Sequence, residues 1–274
     1  MARYERHGSF HPGNLWPHAT SQRFDDLLLA MTDLVAWYDF HPSRISGTPM
    51  SIANRKPAGI PLVQLAYGTG PTLSTANLAT GGALQQVAEF ANDGSLKAAG
   101  LMPTADAMTF TQLIVYKIST VSLHFDNLSL PGVNSLARSN GSSNQCHLLM
   151  EFDTTLTARI GTTPSFIDNS QRHLVGQWTW LIRTWDQQTK VMNLSIGGTD
   201  FITVTGTVQV SKSSDLYIGG SSTLGLLQGA VGAYVQWNGT SGVNGDLSAA
   251  GRTADLAVAQ AYGAVMCGLY DLGA

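Results

Sequence analysis

The chain has 274 residues, a formal charge of -3 and 12% charged residues, about half the ~25% of an average globular domain. No basic block stands out along it, so there is no electrostatic case for a nucleic-acid partner, and no apolar run approaches a membrane span. Burial is not limiting at this size, and so sparse a charge means a surface of Ser, Thr, Asn, Gln and Gly, or one covered by another chain.

Residues 1–20 interleave Tyr4, Phe10 and Trp16 with Gly8, Pro12, Gly13, Asn14 and Pro17. No strand or helix period fits, which predicts an extended arm. A short helix is expected next, capped by Thr20 or Ser21, with Asp25 and Asp26 in its first turn and Phe24, Leu27, Leu28 and Met31 at helical spacing. Residues 34–40 read as a strand, 88–96 as a strand closed by an Asp-Gly turn, and 108–116 as another strand. Further on, Leu148, Met150 and Phe152 alternate with His147, Leu149, Glu151 and Asp153, giving an inner and an outer face.

The stretch from Gln177 to Gly198 carries the clearest signal. Trp178, Trp180 and Ile182 share one face of a strand, Met192, Leu194 and Ile196 share one face of the next, and Asp186-Gln187-Gln188-Thr189 closes a hairpin between them. Strands at 216–220 and 229–238 follow, and the Gly/Ser/Asn-rich stretches 138–144, 219–225 and 238–245 read as loops. From Thr253 a second helix is expected, with Val258, Ala261, Tyr262, Val265 and Leu269 on one face. Its Ala and Gly content makes that face shallow and suited to close packing against another surface.

Two cysteines, Cys146 and Cys267, are too few for a disulfide framework and are expected to be buried free thiols. The first residues lack an apolar stretch of signal-peptide length, so synthesis in a cytosol without export by the usual route is expected. Four Asn-x-Ser/Thr triplets, at Asn127, Asn140, Asn193 and Asn238, then carry no glycan.

The order of these elements resembles the laminin-G-like and concanavalin A-like lectin/glucanase superfamily. The resemblance rests on a Trp-led strand with an Asp turn, the Ile218-Gly219-Gly220 strand end, and a glycine-led strand ending in Trp237-Asn238. It runs from residue 34 to about 245. It implies an all-β, two-sheet antiparallel jelly-roll sandwich over 34–245, between an arm and short helix (1–33) and a helical tail (246–274).

Some glucanases of that superfamily carry Glu-x-Asp-x-x-Glu on one strand, with the two glutamates about 5–5.5 Å apart for retaining chemistry. Here Glu151-Phe152-Asp153-Thr154-Thr155-Leu156 has leucine at the third acidic position, and the chain is therefore read as a non-enzyme without catalytic residues. His7 and His11 have zinc spacing, with His18 beyond, but Gly8 and Pro12 disfavour a helix there. No metal or cofactor is expected, with calcium near Asp39, Asp93 or Asp186 as the one exception the resemblance raises. Trp185, Trp237 and Asn238, near predicted strand edges, are the candidate glycan contacts. Trp37, Trp178 and Trp180 are read as structural, although a shared face leaves open whether both of the last two lie inside.

These observations lead to three function classes. The first is a non-enzymatic structural component of a large assembly; phage structural proteins often carry domains of this superfamily, so the resemblance implies a bacteriophage virion protein such as a capsid decoration, tail or fibre subunit, assembled in the host cytoplasm. It would contact itself as a homotrimer, and other virion proteins, through Tyr4, Phe10, Trp16, Tyr262 and Leu269. The alternative is a carbohydrate- or receptor-binding module for a host-surface glycan, and the third is a divergent glycoside hydrolase.

Overall fold

The computed structural model describes residues 18–65, 71–75, 86–91, 94–103, 108–119, 134–139, 146–150, 156–160, 176–205, 215–219, 227–240 and 244–271. Residues 1–17, with Tyr4, Phe10 and Trp16, lie outside them. Helix α1 (His18–Leu29) leads into β1 (Leu34–Asp39), β2 (Ile45–Ser46), β3 (Ser51–Ile52), β4 (Leu62–Gln64) and β5 (Thr72–Thr75). Then come β6 (Gln86–Ala91), β7 (Leu96–Ala98), β8 (Met108–Ile118), β9 (Asn134–Ser139), β10 (Cys146–Met150) and β11 (Leu156–Ile160). The chain continues through β12 (Trp178–Asp186), β13 (Val191–Ile196), β14 (Ile202–Thr205), β15 (Leu216–Ile218), β16 (Gln228–Thr240) and α2 (Thr253–Asp271).

The strands form two antiparallel sheets, a jelly-roll-like β-sandwich as expected. The first runs β14-β13-β12-β8-β16-β6-β5, with β1 also on β16; the second runs β11-β10-β9-β15-β7-β4-β3-β2. Strand β16 is long enough to serve two partners, pairing with β6 at residues 228–231 and with β1 over residues 233–237. The register shift between Val231 and Ala233 marks the change of partner.

The central strands of the first sheet, β8, β12 and β16, are buried on both faces. Between the sheets lie Phe110, Ile114, Leu181, Trp185, Leu194 and Tyr234. On the other face the helices cover a second core containing Trp37, Val115, Trp178, Trp180, Ile182 and Trp237. Of the 11 residues of β8 only Lys117 is not buried, as expected of a strand with no wet face. The hairpin alternation is therefore real, but the Trp178, Trp180 and Ile182 face packs under α2 and not between the sheets.

Both helices are fixed by specific contacts. The indole N–H of Trp37 donates to the Tyr262 hydroxyl at 2.8 Å, and the Tyr262 ring meets Trp37 edge-on at 5.3 Å. Arg55 lies over the Trp37 ring, 3.8 Å from its centroid, donates to Asp39 at 2.8 Å and pairs with Asp25 of α1. At the start of α2, Arg252 grips buried Asp33 with both guanidinium arms, at 2.8 and 3.1 Å; breaking one side of such a pair costs about 3–5 kcal/mol.

Several sequence expectations change here. Helix α1 begins at His18, so Asp25 and Asp26 fall past its first turn, and Asp25 serves Arg55 instead. The buried stripe of α2 is Ala259, Tyr262, Gly263, Met266 and Tyr270, rotated from the expected one. The rotation follows from Gly263, which sits so close to Trp180 that a Cβ would lie 2.8 Å from its ring, and from Tyr270, whose hydroxyl reaches the Gly232 carbonyl at 3.0 Å. Tyr262, expected to touch a partner, is 3% exposed and committed to Trp37; the side chain of Leu269 lies outside the described residues. Cys267 is half-buried and in no disulfide, and Cys146 opens β10. Among the described residues no helix is long and apolar enough to cross a membrane.

Burial raises the hydroxyl pKa of Tyr38, Tyr116 and Tyr262 well above the ordinary 10.0. Above pH 10 the unfolded chain releases these protons while the folded chain keeps them, so stability falls as pH rises, and below pH 10 they add no slope. Chemical-denaturation midpoints should hold to about pH 10 and then drop, with Tyr262→Phe removing about 1.4 kcal/mol per pH unit from the decline. Equal slopes for the two proteins would rule this account out.

Candidate functional site

The sequence-predicted glycan contacts do not converge. Trp185 and Trp237 are both 0% exposed, so neither offers a face to a sugar. The Trp185 indole donates to Gln187 at 2.9 Å, and that of Trp237 points to the Met31 sulfur at 3.1 Å. The strand-end position that suggested an open edge is covered, for Trp237, by α1 and α2. Only Asn238 remains half-buried at a cavity wall.

Asn238 ends a polar row that crosses the middle of the apolar sandwich. Arg183 on β12 stands opposite Gln112 on β8, and Gln112 stands opposite Gln236 on β16. Arg183 is fully buried, a placement that costs several kcal/mol unless the guanidinium is hydrogen-bonded. Its Nε donates to Gln112 Oε1 at 3.2 Å, and its Nη2 donates to the same oxygen. Gln112 Nε2 passes the chain to the Tyr234 hydroxyl at 2.7 Å and to Gln236 Oε1 at 3.2 Å. Gln236 Nε2 donates to Asn238 Oδ1 at 2.7 Å, and Asn238 Nδ2 donates to the Leu101 carbonyl at 2.7 Å.

The row thus ends on the loop after β7. There a cavity of about 360 Å³ is lined by Val35, Asn238 and the loop residues 56–60 and 100–103, a volume in the range of small-ligand sites. Its second wall is equally well held. Asn54 Nδ2 donates to the carbonyls of Val35 (3.0 Å) and Ile60 (3.3 Å), and its Oδ1 accepts from the Lys56 amide at 2.9 Å. Tyr38 donates to the Ile60 carbonyl at 2.6 Å. Lys56 brings the cavity its one cationic side chain and donates to the Leu34 carbonyl. Ala58, exposed at the rim, has φ 58°, a left-handed conformation uncommon for a residue with a Cβ. Such strain collects at functional sites and persists only where the surroundings enforce it.

Sequence reasoning missed Arg183, Gln112 and Gln236, although each interrupts an otherwise apolar strand, as in Leu181-Ile182-Arg183 and Tyr234-Val235-Gln236-Trp237. The other candidates are engaged elsewhere. Asp39 is held by Arg55 and Arg44, and Asp186 Oδ1 accepts the amides of Gln188 and Thr189. Asp93, Glu151, Asp153, His7 and His11 lie outside the described residues, and Leu156 opens β11. Among the described residues no three His, Cys, Asp or Glu side chains converge on one point.

The architecture is that of a two-sheet antiparallel β-sandwich. No protein-family model and no curated protein matches the chain. Among solved structures it is similar to domain 4 of AbnA, a GH43 extracellular arabinanase from Geobacillus stearothermophilus, in complex with arabinotriose. That likeness has a TM-score of 0.55 at 14% identity and covers 82% of this chain and 98% of that one. The sialidase of Trypanosoma rangeli is also similar, with a TM-score of 0.53 at 12% identity over 80% of this chain and 35% of the sialidase. The chain therefore spans about a third of the sialidase. These neighbours correct the expectation of a non-enzyme, since chains that carry this sandwich include an arabinanase and a sialidase. At such identities the likeness is one of fold.

Asn238→Ala removes the link between the row and loop 100–103. It should cost about 1–3 kcal/mol and speed amide exchange at residues 100–103, while Gln112→Leu, which takes an acceptor from buried Arg183, should cost more. Unchanged exchange in that loop would show that the row does not hold it.

Proposed function

We propose that this chain is a saccharide-binding sandwich whose ligand sits in the cavity between loops 56–60 and 100–103. The observation that carries the reading is the prebuilt cavity itself. One wall is fixed by Asn54 and Tyr38, the other is pinned by Asn238 at the end of the buried row, and Ala58 is held at φ 58° on the rim. Half-buried Val35 and Ile60 suit the C–H face of a sugar ring, while Lys56 and the backbone amides and carbonyls of both loops suit its hydroxyls. The likeness to an arabinanase domain in complex with arabinotriose supports the reading. Calorimetric titration of the full chain with a panel of neutral and acidic oligosaccharides should find millimolar or tighter binding, weakened about tenfold by Lys56→Ala. Absence of binding across the panel, or equal affinity in the variant, would falsify it.

The second reading, a subunit of a larger assembly such as a bacteriophage particle, can hold together with the first. It is supported by the low charge of the chain and by Leu27 and Leu29 on α1, 39% and 40% exposed, which are the large apolar side chains left open among the described residues. Light scattering of the full chain should then give a discrete oligomer, a trimer by expectation, which Leu27→Ser with Leu29→Ser shifts toward monomer. A monomer at all concentrations rejects self-assembly.

A further inference from the structure

Arg55 and Lys56 are neighbours in sequence and opposite in circumstance. Arg55 commits one arm of its guanidinium to Asp39 and the other to Asp25, and Arg44, Lys97 and Arg252 are likewise each paired with an aspartate. The Lys56 ammonium meets no carboxylate among the described residues, and its hydrogen bond goes to the Leu34 carbonyl. Its side chain stands half-buried in the wall of the cavity.

A charge placed in this way is incomplete. An ammonium has three donors, and a carbonyl takes up one of them without neutralising the charge, whereas charges drawn out of water are ordinarily paired. The carboxylates of the surrounding segments are already engaged, Asp25 and Asp39 by Arg55 and Asp33 by both arms of Arg252. The cavity adds no acid of its own, since its described lining of Val35, Asn238 and residues 56–60 and 100–103 contains neither Asp nor Glu. An anion entering it meets one positive charge and no negative one.

One ammonium, with no arginine in the lining, suits a single carboxylate better than a phosphate, which several donors ordinarily hold together. The volume of about 360 Å³ lies at the low end of small-ligand sites, room for one sugar unit and its substituent but not for the length of a polymer. We infer that the cavity selects a saccharide unit bearing one carboxylate, a uronic acid in class, with Lys56 as the carboxylate-binding residue. The inference rests on the saccharide-binding reading and adds the class of saccharide.

The test titrates the full chain calorimetrically with three probes: glucuronate, glucose as the same ring without the carboxylate, and acetate as the carboxylate without the ring. Glucuronate should bind about tenfold or more tightly than glucose, more weakly as salt is raised, and with no competition from equimolar acetate. Lys56→Gln, which keeps a donor and loses the charge, should remove the preference for glucuronate, and Lys56→Arg should retain it. Where circular dichroism shows the glutamine variant poorly folded, the salt dependence of the wild-type preference decides instead. Equal affinity of the wild type for glucuronate and glucose overturns the inference, as does a preference that survives in Lys56→Gln or is indifferent to salt. Acetate bound as tightly as glucuronate shows a site for a simple ion and overturns it too. If neither ring binds while a neutral oligosaccharide does, the acidic class fails and the saccharide reading stands. Failure of every saccharide overturns that reading itself, which separates the two failures.

Discussion

The central strands of the first sheet, β8, β12 and β16, have no wet face, and most of the molecule follows from that constraint. A strand pairing inside a sheet satisfies its own backbone, but any polar side chain it carries must find a partner within the protein. The row from Arg183 to Asn238 is the outcome between the sheets. On the helix side the same constraint appears as Trp37 engaged by both Arg55 and Tyr262, and as Asp33 gripped by Arg252. These contacts specify one arrangement of helices over sheet, where apolar packing alone would tolerate several.

Strands that alternate and turn locally were legible. The hairpin of β12 and β13 announces itself through period-two apolar positions and an aspartate whose side chain caps the turn. The destination of each face was not legible. Trp178 and Trp180 share a side as expected, yet nothing within ten residues says whether that side meets the other sheet or a helix from the C-terminal region. The rotation of α2 is likewise decided far away, by the close approach of Gly263 to Trp180.

The cavity stands where two kinds of order meet. Behind it lies a buried network that resists rearrangement, since shifting one member leaves another without its hydrogen bond. In front lie loop residues exposed to solvent, such as Pro57 and Ala58, which can vary without disturbing the core. Sandwiches of this fold occur in proteins as different as an arabinanase and a sialidase, so the shared framework says little about a ligand. The local chemistry of Lys56, Ala58 and Asn238 says more.

The contact of Phe24 on α1 with Tyr262 on α2, ring to ring at 5.4 Å, gives the chain a seam. Elements from opposite ends of the described chain lie side by side on one face of the sheet, so the order in which the chain threads the fold matters less than the pairings it achieves. A linker joining the two helices would permit the polypeptide to be reopened at the Asp186 turn, as a circular permutant with every strand neighbour retained.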